Sequence, residues 1–120
     1  MPIGFDEWAV IQRLHDGSGR FQLMRNLIYR TEAGNMYVVP RGFKTDLATI
    51  PKIFWGILPP HDLYLSAAIL HDYFCVNNWI KRKDIDKLFL EAMKWSNIPK
   101  WKRYVVYLSV RLYSITHIIK

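Results

Sequence analysis

The chain has 120 residues, of which 51% are hydrophobic and 15% aromatic, and its formal net charge is +7. This length suits one domain with a single core, residues 1–120, and the apolar content excludes an intrinsically disordered chain. The single cysteine, Cys75, excludes an internal disulfide and a cysteine-based zinc site, and it favours a reducing compartment.

The positive charge indicates an anionic partner, such as an anionic substrate, a lipid or a nucleic acid. The lysines and arginines are spread along the chain rather than gathered in one block, so nucleic-acid binding stays open. The start, MPIGFDEWAV, has no basic segment followed by an apolar one, and we expect no signal peptide. No apolar run approaches the roughly 20 residues of a transmembrane helix. We therefore expect a cytoplasmic protein.

The first third of the chain predicts β-structure. Apolar and polar residues alternate imperfectly in EWAVIQRL (7–14), and RFQLMRNLIYR (20–30) then places its apolar residues on one side. MYVVP (36–40) follows a turn at TEAGN (31–35), and Pro40 ends it because proline cannot donate to a strand ladder. These segments predict a three-stranded antiparallel sheet.

The remainder predicts helices. A short helical turn fits near Pro51–Trp55 between proline breaks, and longer helices fit residues 62–76, 83–95 and 101–118. The connection between the first two long helices is short, which makes them an antiparallel hairpin. The predicted fold class is α+β, a small sheet followed by three main helices.

Two polar residues stand out within apolar helix faces. His71 has alanines and apolar residues at the neighbouring helical positions, and Asp86 lies on the apolar stripe of the next helix. His71 lies eight residues before Trp79, which is in the connection, and Asp86 lies seven residues after it. Because the rise per residue is the same in both helices, the two residues lie at nearly the same level of the hairpin. We therefore expect the Asp86 carboxylate to face the His71 imidazole, fixing its tautomer and raising its basicity.

Such a pair has two interpretations, a catalytic dyad or a satisfied polar contact in the core. Asp72 points about 100° away from His71 and is free to bind a cation or to cap another group. Asp46 lies in a loop before the helices, where it acts either as a turn carboxylate or as a second cation ligand. The candidate cofactor is thus a divalent cation held by Asp46 and Asp72.

Basic residues supply the candidate binding groups for an anionic substrate, namely Arg82 and Lys44. Arg82 precedes Asp86 by one helical turn, so a salt bridge between the two is the alternative to a phosphate contact.

Three segments together resemble a known family: VVPRGFKTDLATIPKIFW (38–55), AAILHDYFC (67–75) and RKDIDKLFLEAM (82–93). They are similar to the short phage and prophage proteins called domain of unknown function 1353, and the resemblance runs from about Trp8 to Arg111. It implies a phage origin, with the host cytoplasm or the virion as the location. It implies no established activity.

The segment AAILHDYFC also resembles the His–Asp helix of secreted phospholipases, although Cys75 stands where that motif has tyrosine. This resemblance implies that His71 is a general base that activates water, that Asp86 orients it, and that Asp72 is a calcium ligand.

Two hypotheses about function follow. In the first, the protein is a phage-encoded hydrolase of an ester or phosphoester, with His71 as base and Asp86 as its orienting partner. In the second, it is a non-enzymatic phage protein, either an accessory tail or capsid component that binds other structural proteins or an inhibitor of a host factor. A hydrolase requires His71 to be partly open to a pocket. A non-enzymatic protein would have His71 sealed and an exposed apolar surface elsewhere.

Overall fold

The computed structural model describes residues 3–46, 62–77 and 80–118, and for residues 62–64 and 113–118 it describes the backbone alone. Two β-sheets come first in this part of the chain and three helices follow. The strands are β1 Gly4–Phe5, β2 Ile11–Arg13, β3 Phe21–Leu23, β4 Leu27–Arg30, β5 Met36–Val39 and β6 Lys44–Thr45. The helices are α1 Asp62–Asn77, α2 Arg82–Trp95 and α3 Lys100–Ile118. The predicted α+β class is confirmed, and the short helical turn predicted near Pro51–Trp55 lies outside the described residues.

The single predicted sheet is in fact two antiparallel three-stranded sheets, with strand orders β1-β4-β5 and β2-β3-β6. The segment expected to form one strand over residues 20–30 is divided between β3 and β4. A continuous strand would point Arg25 toward the same side as the buried Leu23 and Leu27. Instead the chain bends there, and the exposed Arg25 guanidinium donates to the Trp8 carbonyl at 2.6 Å. The charge at position 25 therefore separates the two sheets.

Turns join the strands as their sequences indicate. In the turn between β4 and β5, the Thr31 amide donates to the Asn35 carbonyl at 2.8 Å, and Gly34 has a φ of 91°, which suits glycine. Strand β5 ends at Val39, directly before Pro40, as predicted. Strand β6 pairs with β3 through Phe21↔Thr45 and Gln22↔Lys44, a long-range pairing that the sequence did not indicate.

Helix α1 lies at the centre of the molecule. Every residue from Ser66 to Leu70 is buried, and so are His71, Asp72 and Phe74. A helix that is buried on nearly all sides must have neighbours all round, and α1 contacts β5 and β6 as well as α2. Helix α2 in turn packs against α1, α3 and β1. The core therefore forms between the sheets and α1 and continues between the helices.

The predicted helix ends agree with the structure to within one residue. Helix α2 begins at Arg82 and ends at Trp95, and Asn97 takes a φ of 62° in the turn that leads to α3. In the described part of the chain, no helix combines the length and the hydrophobicity of a transmembrane span.

Candidate functional site

The two polar residues singled out from the sequence face each other across the α1–α2 seam. His71 Nε2 lies 2.6 Å from Asp86 Oδ1, a short hydrogen-bond distance. The sequence-based expectation about their relative position is therefore confirmed. The His71 ring also packs against Phe89, one turn after Asp86, with ring centroids 4.7 Å apart. Apolar packing and a hydrogen bond together hold the imidazole in one orientation.

Two arginines approach the same carboxylate. Arg111 on α3 donates from Nη1 to Asp86 Oδ2 at 2.8 Å, so each oxygen of Asp86 has its own partner. Arg82 Nε lies 3.5 Å from Oδ1, which is an ion-pair distance but not a hydrogen bond. Because arginine only donates, Asp86 is the acceptor toward Arg111, and His71 Nε2 is best placed to donate to the other oxygen. Asp86 thus connects α1, α2 and α3.

The imidazole and the carboxylate that it contacts are sealed from solvent. His71 is 1% exposed and Asp86 is 0% exposed. Burial lowers the pKa of the His71 imidazole from its ordinary value of 6.5; the contact with Asp86 opposes this shift and the charge of Arg82 adds to it. Asp86 raises the basicity of the imidazole, as expected from the sequence, but the loss of water outweighs this contribution and the net shift of the His71 pKa is downward. His71 is neutral at physiological pH.

Asp72 points away from His71, as expected from its position one residue later. It is buried, and its Oδ2 accepts a hydrogen bond from the Thr45 hydroxyl on β6. This contact joins the helical part of the core to the second sheet. A neighbouring buried hydrogen bond joins the N-terminal segment to α1, because the Ala9 amide donates to the Ser66 hydroxyl at 2.8 Å.

The remaining candidate residues lie at the end of β6. Lys44 and Asp46 are exposed on either side of the buried Thr45. Asp46 therefore follows directly after the residue that binds Asp72. Over the described ranges, no group of three or more His, Cys, Asp or Glu side chains could hold a metal ion. The cation site remains an expectation that rests on Asp46 and Asp72.

Cys75 contacts the imidazole without being activated by it. Its Sγ lies 3.7 Å from both Nδ1 and Nε2 of His71, and a sulfur equidistant from the two nitrogens does not lie along the lone pair of either. Burial raises the pKa of the thiol from 9.0 to about 12. A thiol that is so reluctant to ionise is not a nucleophile at neutral pH.

Sequence reasoning missed two members of this network, Arg111 and Thr45. Arg111 carries the same signal that marked His71 and Asp86, because it is the one charged residue in the mostly apolar run VVYLSVRLYSI of α3. Thr45 gave no such signal, since a threonine in a loop is commonplace.

Residues 21–110 match the family model described as "Protein of unknown function (DUF1353)". An uncharacterised protein, y4jT of Sinorhizobium fredii, is 33% identical over 95 residues. That match covers 78% of this chain and 28% of the relative, so the chain spans little more than a quarter of the relative's length. No solved structure matches the chain.

Proposed function

Since the chain belongs to the DUF1353 family, whose description assigns no activity, we propose from its geometry that it is a non-enzymatic protein that acts by binding. In this proposal the pair His71–Asp86, with Arg111, is a structural contact that holds the three helices together. In this proposal the motif resemblance supports a phage setting, in which the protein is an accessory virion component or an inhibitor of a host factor.

The burial of the pair is the observation that carries this proposal. A general base must come within hydrogen-bond distance of the proton that it removes. His71 is 1% exposed and its Asp86 partner is 0% exposed, so a substrate has no direct approach to the imidazole. A buried charge that is fully paired by a second charge and a hydrogen bond is, by contrast, a familiar structural arrangement. The pairing of Asp86 with Arg111 is of this kind.

The stability of variants tests the structural role. The change Asp86→Asn leaves Arg111 beside a neutral amide, and removing one partner of a buried ion pair costs on the order of 3–5 kcal/mol. We expect His71→Asn to lower the free energy of unfolding by about 1–3 kcal/mol, the cost of an unsatisfied buried group. Urea denaturation followed by circular dichroism measures both. Asp84→Asn, on the exposed side of α2, is the matched control and should cost less than about 1 kcal/mol.

The hydrolase is the second candidate, and the 2.6 Å contact between His71 Nε2 and Asp86 Oδ1 favours it. This geometry suits a carboxylate that orients a general base, with Asp46 and Asp72 as cation ligands and with Lys44 and Arg82 as contacts to an anionic substrate. Its test is the turnover of nitrophenyl esters and phosphoesters, with and without calcium or magnesium. Turnover that His71→Asn abolishes while the unfolding free energy stays near that of the unaltered protein would overturn the non-enzymatic proposal.

A further inference from the structure

The net charge of the protein is concentrated in its last quarter. Residues 1–91 contain eleven Lys or Arg and ten Asp or Glu, whereas residues 92–120 contain six Lys or Arg and no acidic residue. The basic residues are spread along the whole chain. The net charge differs between the two parts because residues 92–120 lack acidic residues. Helix α3 lies entirely within this segment. It therefore presents positive charge without any carboxylate of its own.

Helix α3 also exposes a row of large apolar side chains, which we call the outer stripe: Trp101, Tyr104, Leu108 and Leu112. Steps of three and four residues place them on one face of the helix. Trp101 is 61% exposed, Leu108 62% and Leu112 65%. The buried Val106 and Val110 occupy the opposite face. The outer stripe thus forms a convex apolar ridge that points away from the core, which is unusual on a protein that functions without a partner.

Cations flank the tryptophan of the outer stripe. Lys100 and Lys102 lie one residue to either side of Trp101, so they project about 100° from it in both directions. The Lys102 ammonium lies 5.5 Å from the Trp101 ring centroid, and the Arg103 guanidinium lies 6.0 Å from that of Tyr104. In the described part of the chain, Lys100 and Lys102 form no ion pair. Their charge is available to a partner, whereas the Arg103 guanidinium donates to the Ile98 carbonyl at 3.1 Å.

The absence of acidic residues limits what can cover the outer stripe. A second copy of the chain would bring like charges together in either orientation of two α3 helices, which is destabilising. A nucleic acid would use the cations but would leave the leucines with nothing apolar to contact. A surface that offers both negative charge and an apolar interior suits all of these residues.

We propose that the outer stripe of α3 binds an anionic phospholipid surface, with the helix lying in the plane of the interface. The leucines and aromatic rings would enter the boundary between headgroups and acyl chains, and Lys100 and Lys102 would pair with the anionic headgroups. A convex ridge meets a flat surface along its whole length, whereas a protein partner would have to supply a matching groove. This inference is independent of whether His71 is structural or catalytic.

Vesicle binding tests the proposal. The full chain is mixed with vesicles of phosphatidylcholine alone or with about one third phosphatidylserine, and bound protein is measured by sedimentation. We expect binding to the anionic vesicles that weakens as salt is added. Leu108→Gln with Leu112→Gln should weaken it by about tenfold, because two apolar anchors are lost without a change in charge. Lys100→Glu with Lys102→Glu should weaken it by about tenfold or more.

Matched variants on other helices control for surface hydrophobicity and for net charge. Val76→Gln removes an equally exposed apolar residue from α1, and Lys83→Glu with Lys87→Glu makes the same charge change on α2. These controls should retain most of the binding, and circular dichroism should show every variant to be folded. No binding to anionic vesicles would overturn the proposal, as would equal losses in the α3 and control variants. An acidic helical peptide that binds the stripe while vesicles do not would assign the stripe to a protein partner instead.

Discussion

At the scale of single residues, the structure shows how a charge is accommodated in a core. Asp86 is completely buried, and a buried carboxylate is costly unless opposite charges and donors surround it. Arg111 supplies a short contact to one oxygen and His71 to the other, with Arg82 at a longer distance. His71 needs no charge for this role, because a neutral imidazole can donate from Nε2.

The depressed pKa of His71 makes stability depend on pH. In the folded chain the imidazole stays neutral below its ordinary pKa of 6.5, whereas in the unfolded chain it takes up a proton there. The unfolded state then binds more protons, so stability is fully present above pH 6.5 and is lost as the pH falls from 6.5 through the folded pKa. Urea denaturation at a series of pH values should show this loss in the unaltered protein. His71→Asn should flatten the curve in the same interval, and an unchanged slope would contradict the assignment.

At the scale of elements, side-chain hydrogen bonds connect strands and helices that share no backbone hydrogen bonds. Strand β6 has two residues, too few to hold its position through ladder hydrogen bonds alone. The hydroxyl of its Thr45 donates to Asp72 on α1, and Thr45 also pairs with Phe21 on β3. Thr45 thereby attaches the second sheet to the central helix.

We expect Thr45→Val to weaken this attachment. Valine keeps the shape and the strand propensity of threonine but leaves a buried carboxylate oxygen of Asp72 without that donor, which costs about 1–3 kcal/mol. Thr45→Ser retains the hydroxyl and should cost less, so the difference between the two variants isolates the hydrogen bond. Urea denaturation measures both. Equal losses of unfolding free energy would indicate that the hydroxyl does not matter.

At the scale of the whole molecule, buried polar contacts and apolar packing join sheets and helices into one network. Ser66 connects α1 to Ala9, between β1 and β2, and Asp72 connects it to β6. Asp86 connects the three helices. The Tyr29 hydroxyl on β4 donates to Glu91 on α2 at 2.9 Å, which ties the first sheet to the same helices. Such a network leaves no domain boundary between the sheets and the helices.

We therefore predict that residues 1–120 unfold as one cooperative unit, as expected for a domain of this size. Far-ultraviolet circular dichroism reports the helices, and tryptophan fluorescence adds Trp8 in the β-rich part. The two urea transitions should coincide in the unaltered protein and should shift together in Asp86→Asn. Separate midpoints for the two probes would show that the sheets and the helices are independent.

Much of the molecule followed from local pattern. The three helices, the α+β class and the position of His71 opposite Asp86 depend on periodicity, chain breaks and rise per residue, which are properties of short segments. The predicted strand over residues 20–30 is divided at Arg25, and this division also has a local cause. The charge of Arg25 falls on the side of the strand that alternation would bury.

What only the tertiary structure decided concerns partners that are distant in sequence. Arg111 reaches Asp86 across 25 residues and Thr45 reaches Asp72 across 27, and no local period encodes such pairings. The burial of His71 likewise depends on residues that are distant in sequence, because these residues pack around α1. The sequence by itself determined that His71 and Asp86 face inward. The tertiary structure determined that they are sealed there, since desolvation depends on the surroundings of a residue rather than on its neighbours in the chain.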